Sequence, residues 1–444
     1  MMRVKTITVQ SFVCLLLFNL PLTAQNEMTV EDAIKLGLKN NYDIQIARNN
    51  ADVARNNAGQ GTAAFLPILE ATGNYARSTS DLETNHPFIP GGKSDAESKN
   101  AQLTLNWTLF DGFKMFADKS RFNELARLGE FQARNVIENT VVAILAAYFN
   151  LVQQEQLLDV ARNARDISQT RLQKEQVRNE LGGVSSTDLL NARVAFNNDE
   201  ASVLNQELQV LIARKDLNIL LAQEPDTEIA VKKEILISPL NLDISELQEL
   251  AEKHNSGLMV AKQNKRIAEH DVKSSRSTFF PRVFLIANYG MTDRTSSNTS
   301  DNPAFPEEIT NKSTDASVAL NFSFNLFNGF RNKIDLQNAL LEARNRELSL
   351  RNARNELSGL VREKYETFHK RMQLVQLEQQ NVLAAEQNLQ LQQDRFQIGS
   401  ASSLEFRDAQ VNLIRAQSTL IVARYQARIT RLVIEQLIGN LRIE

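Results

Sequence analysis

The sequence predicts a mainly α-helical protein with a membrane β-barrel part, built from one unit that occurs twice. Three observations predict this class: long runs of helix-forming residues, short regions whose apolar residues recur at period two, and the pentapeptide LFDGF at Leu109–Phe113, which returns as LFNGF at Leu326–Phe330. Only 9 prolines and 16 glycines interrupt 444 residues, which favours long helices. The net charge of −3 predicts no general attraction to nucleic acid.

The first 24 residues have the pattern of a secretory signal peptide. Arg3 and Lys5 give a basic start, Phe12–Phe18 forms an apolar centre, and Pro21–Ala24 provides a peptidase site, so we expect cleavage at its end. Cys14, the only cysteine, is removed with this segment, so the mature chain has no thiol for a disulfide, a metal or catalysis. No later apolar run approaches the about 20 residues of a membrane-spanning helix, so any membrane crossing is expected to use strands.

Matches at a nearly constant offset predict an internal duplication. Phe65–Pro67 is matched 214 residues later by Phe279–Pro281, and Leu181–Gly182 is matched 217 residues later by Ile398–Gly399. We expect a first unit at residues 25–240 and a second at residues 241–444. Their hairpins are expected at about 66–112 and 280–329, and their long helix pairs at about 113–222 and 330–438.

Each unit is expected to open with one helix of about 35 residues. Thr29 and Asp243 each precede an acidic residue by three positions, which is the capping-box pattern of a helix start. Apolar residues then recur at helical spacing as far as Pro67 in the first unit and Pro281 in the second. Each proline ends its helix because it lacks an N–H and its ring clashes with the preceding turn.

After each proline the apolar period changes from about 3.6 to 2 residues, which predicts one β-hairpin per unit. Large apolar residues alternate with small or polar ones, most clearly in the second strand of each hairpin, and each strand is expected to have about ten residues. The expected strands are Ile68–Thr79, Ala101–Leu109, Arg282–Thr292 and Val318–Leu326, with polar loops around Asp81–Ser98 and Thr295–Thr314.

Four strands with one apolar and one polar face suit a tilted crossing of a bilayer. They cannot close a barrel alone, and lipid does not tolerate open edges, so several chains would have to pool their strands. The alternative is a soluble pair of hairpins whose apolar face packs on the helices.

Some aromatic residues near strand ends fit either a girdle at the membrane surface or packing against helices: Trp107, Tyr75, Tyr289, Phe110 and Phe327.

Two long helices are predicted at about Lys114–Glu180 and Asn332–Gln397, each on the order of 100 Å long. Each is expected to reach a glycine turn and return through a shorter helix, at about Thr187–Leu221 and Leu404–Ile438. The shorter helices on either side of a long helix sum to about its length, so stacking them end to end would give a paired strut. A coiled-coil seam is predicted from the 4-3-4-3 spacing of Ile137, Val141, Ile144, Tyr148 and Leu151.

Taken in order, these features resemble the TolC-like outer membrane efflux protein family, the outer membrane factors of tripartite efflux and type I secretion systems. The resemblance rests on the secretory signal, the opening TVEDAIKLGLKNNYDIQIA of Thr29–Ala47, the repeated LF(D/N)G at a strand-to-helix junction, the Gly-Ser turns and the duplication. It covers nearly the whole mature chain. One departure is Phe113 and Phe330, which stand where family members often carry a second glycine.

The resemblance implies a homotrimer in which four strands from each chain form a 12-stranded outer-membrane barrel, continued by an α-helical tunnel across the periplasm. It implies a passive exit duct of a tripartite efflux pump, in contact with outer-membrane lipid, a periplasmic adaptor (membrane fusion) protein and an inner-membrane transporter. An outer-membrane component of type I protein secretion is the alternative. A periplasmic coiled-coil scaffold would explain the helices but not the two-faced hairpins.

The resemblance also implies a periplasmic constriction at Asp408 and Glu405. Glu405 equally fits a capping box with Ser402, whereas Asp408 lies one turn deeper. Three Asp408 carboxylates in a trimer would favour cations, so the ring could gate the channel or bind divalent ions. Adaptor docking is implied at tips that are also simple glycine turns: Gly182, Gly183, Ser185, Gly399, Ser400 and Ser402.

The repeated pentapeptide is interpreted as the barrel-to-helix junction, with the two prolines at the opposite strand ends. Asp111 and Asn328 are expected to cap the long helices, and Gly112 and Gly329 are expected to permit the change in backbone direction. The complete set of junction residues is Asp111, Gly112, Asn328, Gly329, Pro67 and Pro281.

No enzyme, cofactor or metal site is predicted. The four histidines His86, His254, His270 and His369 are scattered, and the chain has no His-Glu-x-x-His motif, phosphate loop or nucleophile elbow. Acids interleaved with Arg and Lys at helical spacing indicate solvated helix faces.

Overall fold

The computed structural model describes residues 27–84, 86, 92–183, 185–298 and 307–441. The predicted signal peptide, residues 1–24, lies outside these ranges, as do parts of the predicted polar loops. The helices are α1 Val30–Asn40, α2 Tyr42–Ala63, α3 Lys114–Glu180, α4 Ser186–Leu220, α5 Ile244–His254, α6 Ser256–Ser277, α7 Arg331–Gln397 and α8 Ser403–Leu437. The strands are β1 Ile68–Leu82, β2 Gly92–Phe110, β3 Arg282–Asn298 and β4 Glu308–Ser323.

The long helices and their returning partners are confirmed. α3 and α7 have 67 residues each, α4 and α8 have 35 residues each, and every bound lies within one residue of the predicted one. α2 packs on the first part of α3, where Gly129 meets Ala54, and α4 packs on the last part, where Arg162 pairs with Glu207. The two shorter helices therefore lie along one long helix, as expected for a paired strut.

The opening helices are shorter than predicted, because an asparagine divides each of them. Asn41 separates α1 from α2, and Asn255 separates α5 from α6. The Asn41 side-chain oxygen accepts from the N–H of Ile44 at 3.2 Å, and its amide donates to the Leu220 carbonyl at 2.8 Å. Asn255 makes the corresponding bonds in the second half. The prediction of one helix of about 35 residues is therefore wrong. The asparagine caps a new helix, and its side-chain amide binds a carbonyl at the end of a neighbouring helix.

The four strands form one antiparallel sheet in the order β1-β2-β3-β4, so the two hairpins pair through β2 and β3. The strands have 15, 19, 17 and 16 residues, which corrects the predicted length of about ten. Much of the predicted polar loops around Asp81–Ser98 and Thr295–Thr314 belongs to the strands. Pairing continues there because the ladder uses backbone groups, whatever the polarity of the side chains.

The two predicted strand-to-helix junctions differ in where the strand ends. β2 ends at Phe110, one residue beyond the predicted end at Leu109, and Phe110 pairs with Val283 of β3. β4 ends at Ser323, before the predicted end at Leu326. β4 has β3 on one side only, and β3 begins at Arg282, opposite Ser323. Residues 324–326 therefore have no strand to pair with in the described part of one chain.

One face of the sheet is apolar and exposed. Leu105 lies opposite Ala287, and Ala287 lies opposite Val318, so the apolar positions of neighbouring strands share this face. Val318, Leu320 and Phe322 are 74%, 67% and 70% exposed. The predicted alternative, a soluble pair of hairpins whose apolar face packs on the helices, is therefore wrong. We name this surface, centred on Leu105, Ala287, Val318 and Leu320, the apolar band.

The main apolar core lies where α3 meets α1, α4 and α8. Tyr148, Leu151 and Leu217 of this core are no more than 1% exposed, which confirms the predicted seam on α3. Within the part of the chain that the structure describes, α3 is also the one helix with an 18-residue window apolar enough to cross a membrane, and 50% of that window is buried inside the protein. This burial is typical of a core helix.

Candidate functional site

The predicted tips are two exposed turns that follow α3 and α7. Gly182 and Gly399 have φ angles of 74° and 75°, a left-handed conformation that glycine adopts without strain. The N–H of Gly183 donates to the Arg178 carbonyl at 2.7 Å, and Ser400 makes the corresponding bond in the second turn. These bonds satisfy carbonyls at the helix ends that would otherwise lack partners.

Ser185 and Ser402 cap the returning helices, each in a complete capping box with an acidic residue. Glu405 accepts from the backbone N–H of Ser402 at 2.7 Å and from its hydroxyl at 2.8 Å. These hydrogen bonds lower the pKa of Glu405, the backbone bond most strongly. Asp408 is exposed one turn further along α8, and its carboxylate makes no hydrogen bond or ion pair within the described ranges. The geometry therefore assigns a structural task to Glu405 and none to Asp408.

Three polar contacts join the α3–α4 hairpin to the α7–α8 hairpin near the tips. Arg407 of α8 binds both carboxylate oxygens of Asp199 of α4, at 2.6 and 2.8 Å. The Gln410 amide donates to the Ala164 carbonyl at 2.8 Å, and the Arg171 guanidinium donates to the Ser403 carbonyl at 3.3 Å. Burial, and then the charge of Arg407, lower the pKa of Arg171.

Aromatic contacts fill the space beside these polar bonds. The Phe396 and Phe406 rings stack with centroids 5.4 Å apart, and the Arg178 guanidinium lies 5.7 Å from the centre of the Phe396 ring. Because Arg178 belongs to α3 and Phe396 to α7, this contact also joins the two hairpins. The two tips therefore form one packed unit within a chain.

Sequence patterns do not predict the ion pair between Arg407 and Asp199. The two residues are separated by 208 positions and lie in different predicted units. Helical periodicity places each on its own helix but does not show which face of α4 meets α8. No sequence signal other than their opposite charges links them.

The two strand-to-helix junctions each have two successive left-handed residues. Gly112 and Gly329 have φ angles of 73° and 69°, and Phe113 and Phe330, which follow them, have φ angles of 70° and 64°. A left-handed residue with a β-carbon is strained, since the β-carbon approaches the following carbonyl oxygen. Phe113 and Phe330 therefore make a backbone turn that glycine would make without strain.

The capping expected from Asp111 and Asn328 is only partly observed. The Asp111 carboxylate accepts from the backbone N–H of Met115 at 3.1 Å. The Asn328 amide instead donates to the side chain of Asn332 at 2.7 Å, so its predicted cap is wrong. Phe113 and Phe330 occupy the N-cap positions, where they offer no side-chain hydrogen bond. Because these two residues are left-handed, each long helix begins after its phenylalanine and not directly after Asp111 or Asn328.

Pro67 and Pro281 lie between the short helices and the first strand of each hairpin, as predicted. Two turn-like hydrogen bonds precede Pro67, from the N–H of Phe65 to the Thr62 carbonyl at 3.1 Å and from the N–H of Leu66 to the Ala63 carbonyl at 2.9 Å.

Among the described residues, no group of three or more His, Asp, Glu or Cys side chains is placed to hold a metal ion.

A family model described as "Outer membrane efflux protein" matches residues 33–223 and 247–440, which together make up most of the chain. The chain belongs to the outer membrane efflux protein family. The two matched segments correspond to the two series of helices and strands described above.

Individual relatives have low sequence identity to this chain, and a solved channel structure shares its fold. The outer membrane protein TolC of Escherichia coli K12 is 21% identical over 419 residues, covering 94% of this chain and 83% of TolC. The alkaline protease secretion protein AprF of Pseudomonas aeruginosa is 26% identical over 283 residues, covering 61% and 58% of the two chains. The crystal structure of the Campylobacter jejuni CmeC outer membrane channel superposes with a TM-score of 0.78 at 15% identity, covering 93% of this chain and 85% of CmeC.

Proposed function

We propose that three copies of this outer membrane efflux protein form the exit channel of a tripartite efflux pump. Their twelve strands would close an outer-membrane barrel, and their long helices would continue it as a tunnel through the periplasm. The channel would be passive, with an inner-membrane transporter supplying the energy and a periplasmic adaptor binding the tips. The export signal at residues 1–24 and the duplication at residues 25–240 and 241–444 belong to this proposal.

The observation that carries the proposal is the exposed apolar band on a sheet with two open edges. Among the described residues, β1 and β4 each have a partner strand on one side only, and lipid does not tolerate such open edges. Residues 324–326, left unpaired inside one chain, would continue β4 if β1 of a second copy lay beside it. Closure by several copies removes every edge and turns the apolar band toward lipid.

The first experiment is fractionation followed by reconstitution. The full chain should be recovered from detergent-extracted outer membrane as a heat-sensitive trimer, and that trimer should conduct ions across a planar bilayer. Recovery of a soluble periplasmic monomer would support a coiled-coil scaffold and contradict the channel.

Type I protein secretion is a second candidate function, favoured by the likeness to AprF. A photoreactive residue placed at Ser400, in the exposed turn of the second tip, should capture the periplasmic adaptor, and the transporter that purifies with it separates the two functions. A drug transporter supports efflux, whereas a protein-exporting transporter supports secretion. The matched control is the same photoreactive residue at Lys39, which lies in the last turn of α1, far from the tips.

A further inference from the structure

The outer end of the apolar band is charged, whereas the end nearest the helices is aromatic. Exposed phenylalanines surround the helix junctions, among them Phe113 at 58%, Phe327 at 72% and Phe330 at 64%. At the other end, toward the hairpin loops, the last apolar row pairs Ala101 with Met291. The two ends therefore present different chemistry to the two surfaces of a membrane.

The row beyond Met291 contains two lysines on the same face as the band. Backbone pairing sets Tyr75 opposite Lys99, Lys99 opposite Asp293, and Asp293 opposite Lys312. Lys99 lies four residues from Leu103 on β2, so both side chains point to the band side. The row thus crosses all four strands at the level where the apolar surface stops.

Both lysine side chains are open to the surroundings, at 63% exposure for Lys99 and 72% for Lys312. Among the described residues, each forms an ion pair with one carboxylate: Lys99 is 3.6 Å from Glu97, and Lys312 is 3.3 Å from Asp293. Glu97 is also engaged by the Tyr75 hydroxyl. Since an ammonium group has three donors, each lysine retains donors that can turn outward.

We propose that Lys99 and Lys312 bind phosphate groups on lipids of the outer leaflet. The lysines lie on strands separated by one strand, so their backbones are about 10 Å apart. Two phosphates on one glycolipid headgroup can span such a distance, and charge-assisted hydrogen bonds to phosphate oxygens are strong. Arg77 lies on the same face one row further out, opposite Glu97, and adds a third cation near the headgroups.

The inference rests on the proposed trimeric barrel, which places the hairpin loops outside the cell. Within that barrel, β4 of one copy would lie beside β1 of the next. Lys312 of one copy would then be close to the first strand of its neighbour, which carries Arg77. A phosphorylated headgroup at this seam would touch two copies at once.

The experiment is a lipid titration of the purified trimer followed by native mass spectrometry. The probes are lipid A, which carries two phosphates, and the same lipid after enzymatic removal of both phosphates. The wild-type trimer should bind the phosphorylated form more tightly. A double variant, Lys99→Gln with Lys312→Gln, should lose this preference, with each lysine contributing about a fivefold change in binding constant.

The matched control is Arg294→Gln, a neutralised cation on β3 that lies beside Asp293 but points to the polar face of the sheet. Backbone pairing sets Arg294 opposite Ser98 and Asn311. Its variant should keep the wild-type preference for phosphate.

Equal binding of the two lipids by the wild type, or wild-type preference in the double variant, would overturn the phosphate site. Channel conductance of each trimer is measured in the same preparations. A conducting trimer without phosphate preference removes this inference alone, whereas a chain that forms no conducting trimer removes the proposed function and this inference together.

Discussion

Arg407 holds Asp199 through two hydrogen bonds of 2.6 and 2.8 Å and thereby ties α8 to α4. The Asp199 side chain is 7% exposed and that of Arg407 is 20% exposed, so water screens the pair only in part. Arg407 directly precedes Asp408, the acid proposed to line the constriction. The ion pair therefore fixes the position of the helix that carries the proposed constriction.

We expect Asp199→Asn to loosen the tips and raise the single-channel conductance of the proposed trimer. Removal of one partner from a largely buried pair leaves the other charge uncompensated, at a cost of about 3 kcal/mol. Single-channel recording in planar bilayers measures the conductance. The control is Glu200→Gln on the same helix, since Glu200 is 42% exposed and lies 3.8 Å from Arg165. If both variants conduct like the wild type, the ion pair does not restrict conduction at the tips.

We expect Asp408→Ala to raise single-channel conductance and weaken cation selectivity. Three exposed carboxylates around a narrow pore attract cations and repel anions, and the substitution removes that field. The measurement is the reversal potential in a salt gradient, together with the conductance. Glu405→Gln serves for comparison, because Glu405 is held in its capping box. An unchanged reversal potential in Asp408→Ala would place this residue away from the pore.

The elements that the sequence predicted well are those bounded by local chemistry. The bounds of α3 and α7 follow from the glycines on either side, and the capping boxes at Thr29 and Asp243 are as expected. These features depend on residues within one helical turn of each other, so they can be recognised without a three-dimensional partner.

The features that escaped prediction depend on partners distant in the chain. β4 stops at Ser323 because β3 offers no further residue, which side-chain alternation does not reveal. Asn41 breaks a periodic helix while holding the Leu220 carbonyl, 179 positions away. The ion pair between Arg407 and Asp199 likewise joins residues 208 positions apart. Apolar periodicity gives the face of an element but not the identity of its neighbour.

The left-handed phenylalanine at Phe330 predicts an unusual order of stability. Phe330→Gly should be more stable than Phe330→Ala by about 1 kcal/mol, because both remove the ring contact with Phe327 but only glycine relieves the backbone strain. Thermal or urea unfolding of the trimer measures the difference. The control is Phe116 within α3, where the alanine variant should be more stable than the glycine variant by about 1 kcal/mol. The same order at both positions would contradict a strained junction.

The two junction glycines should respond differently to the same substitution. A β-carbon on Gly112 would lie 2.4 Å from the Ser277 carbonyl oxygen, whereas one on Gly329 would meet nothing within 4 Å. Gly329→Ala should cost about 1 kcal/mol from its φ alone, and Gly112→Ala should cost about 1–3 kcal/mol more from the clash. Denaturant titration of the assembled trimers tests this order. Equal losses would mean that α6 moves away from the junction at little cost.

The capping box of Glu405 predicts a tip that loosens in acid. The folded-state pKa of Glu405 is lowered, mainly by the backbone N–H of Ser402, so the stabilisation is complete above the ordinary value of about 4.3. It is lost as the pH falls through the lowered value, because a protonated carboxyl is a weaker acceptor. In that pH range, the backbone amides of Ser403–Arg407 should therefore exchange hydrogen faster than their intrinsic pH dependence predicts. Glu405→Gln should abolish that extra change, and its persistence in the variant would assign the acid response to another group.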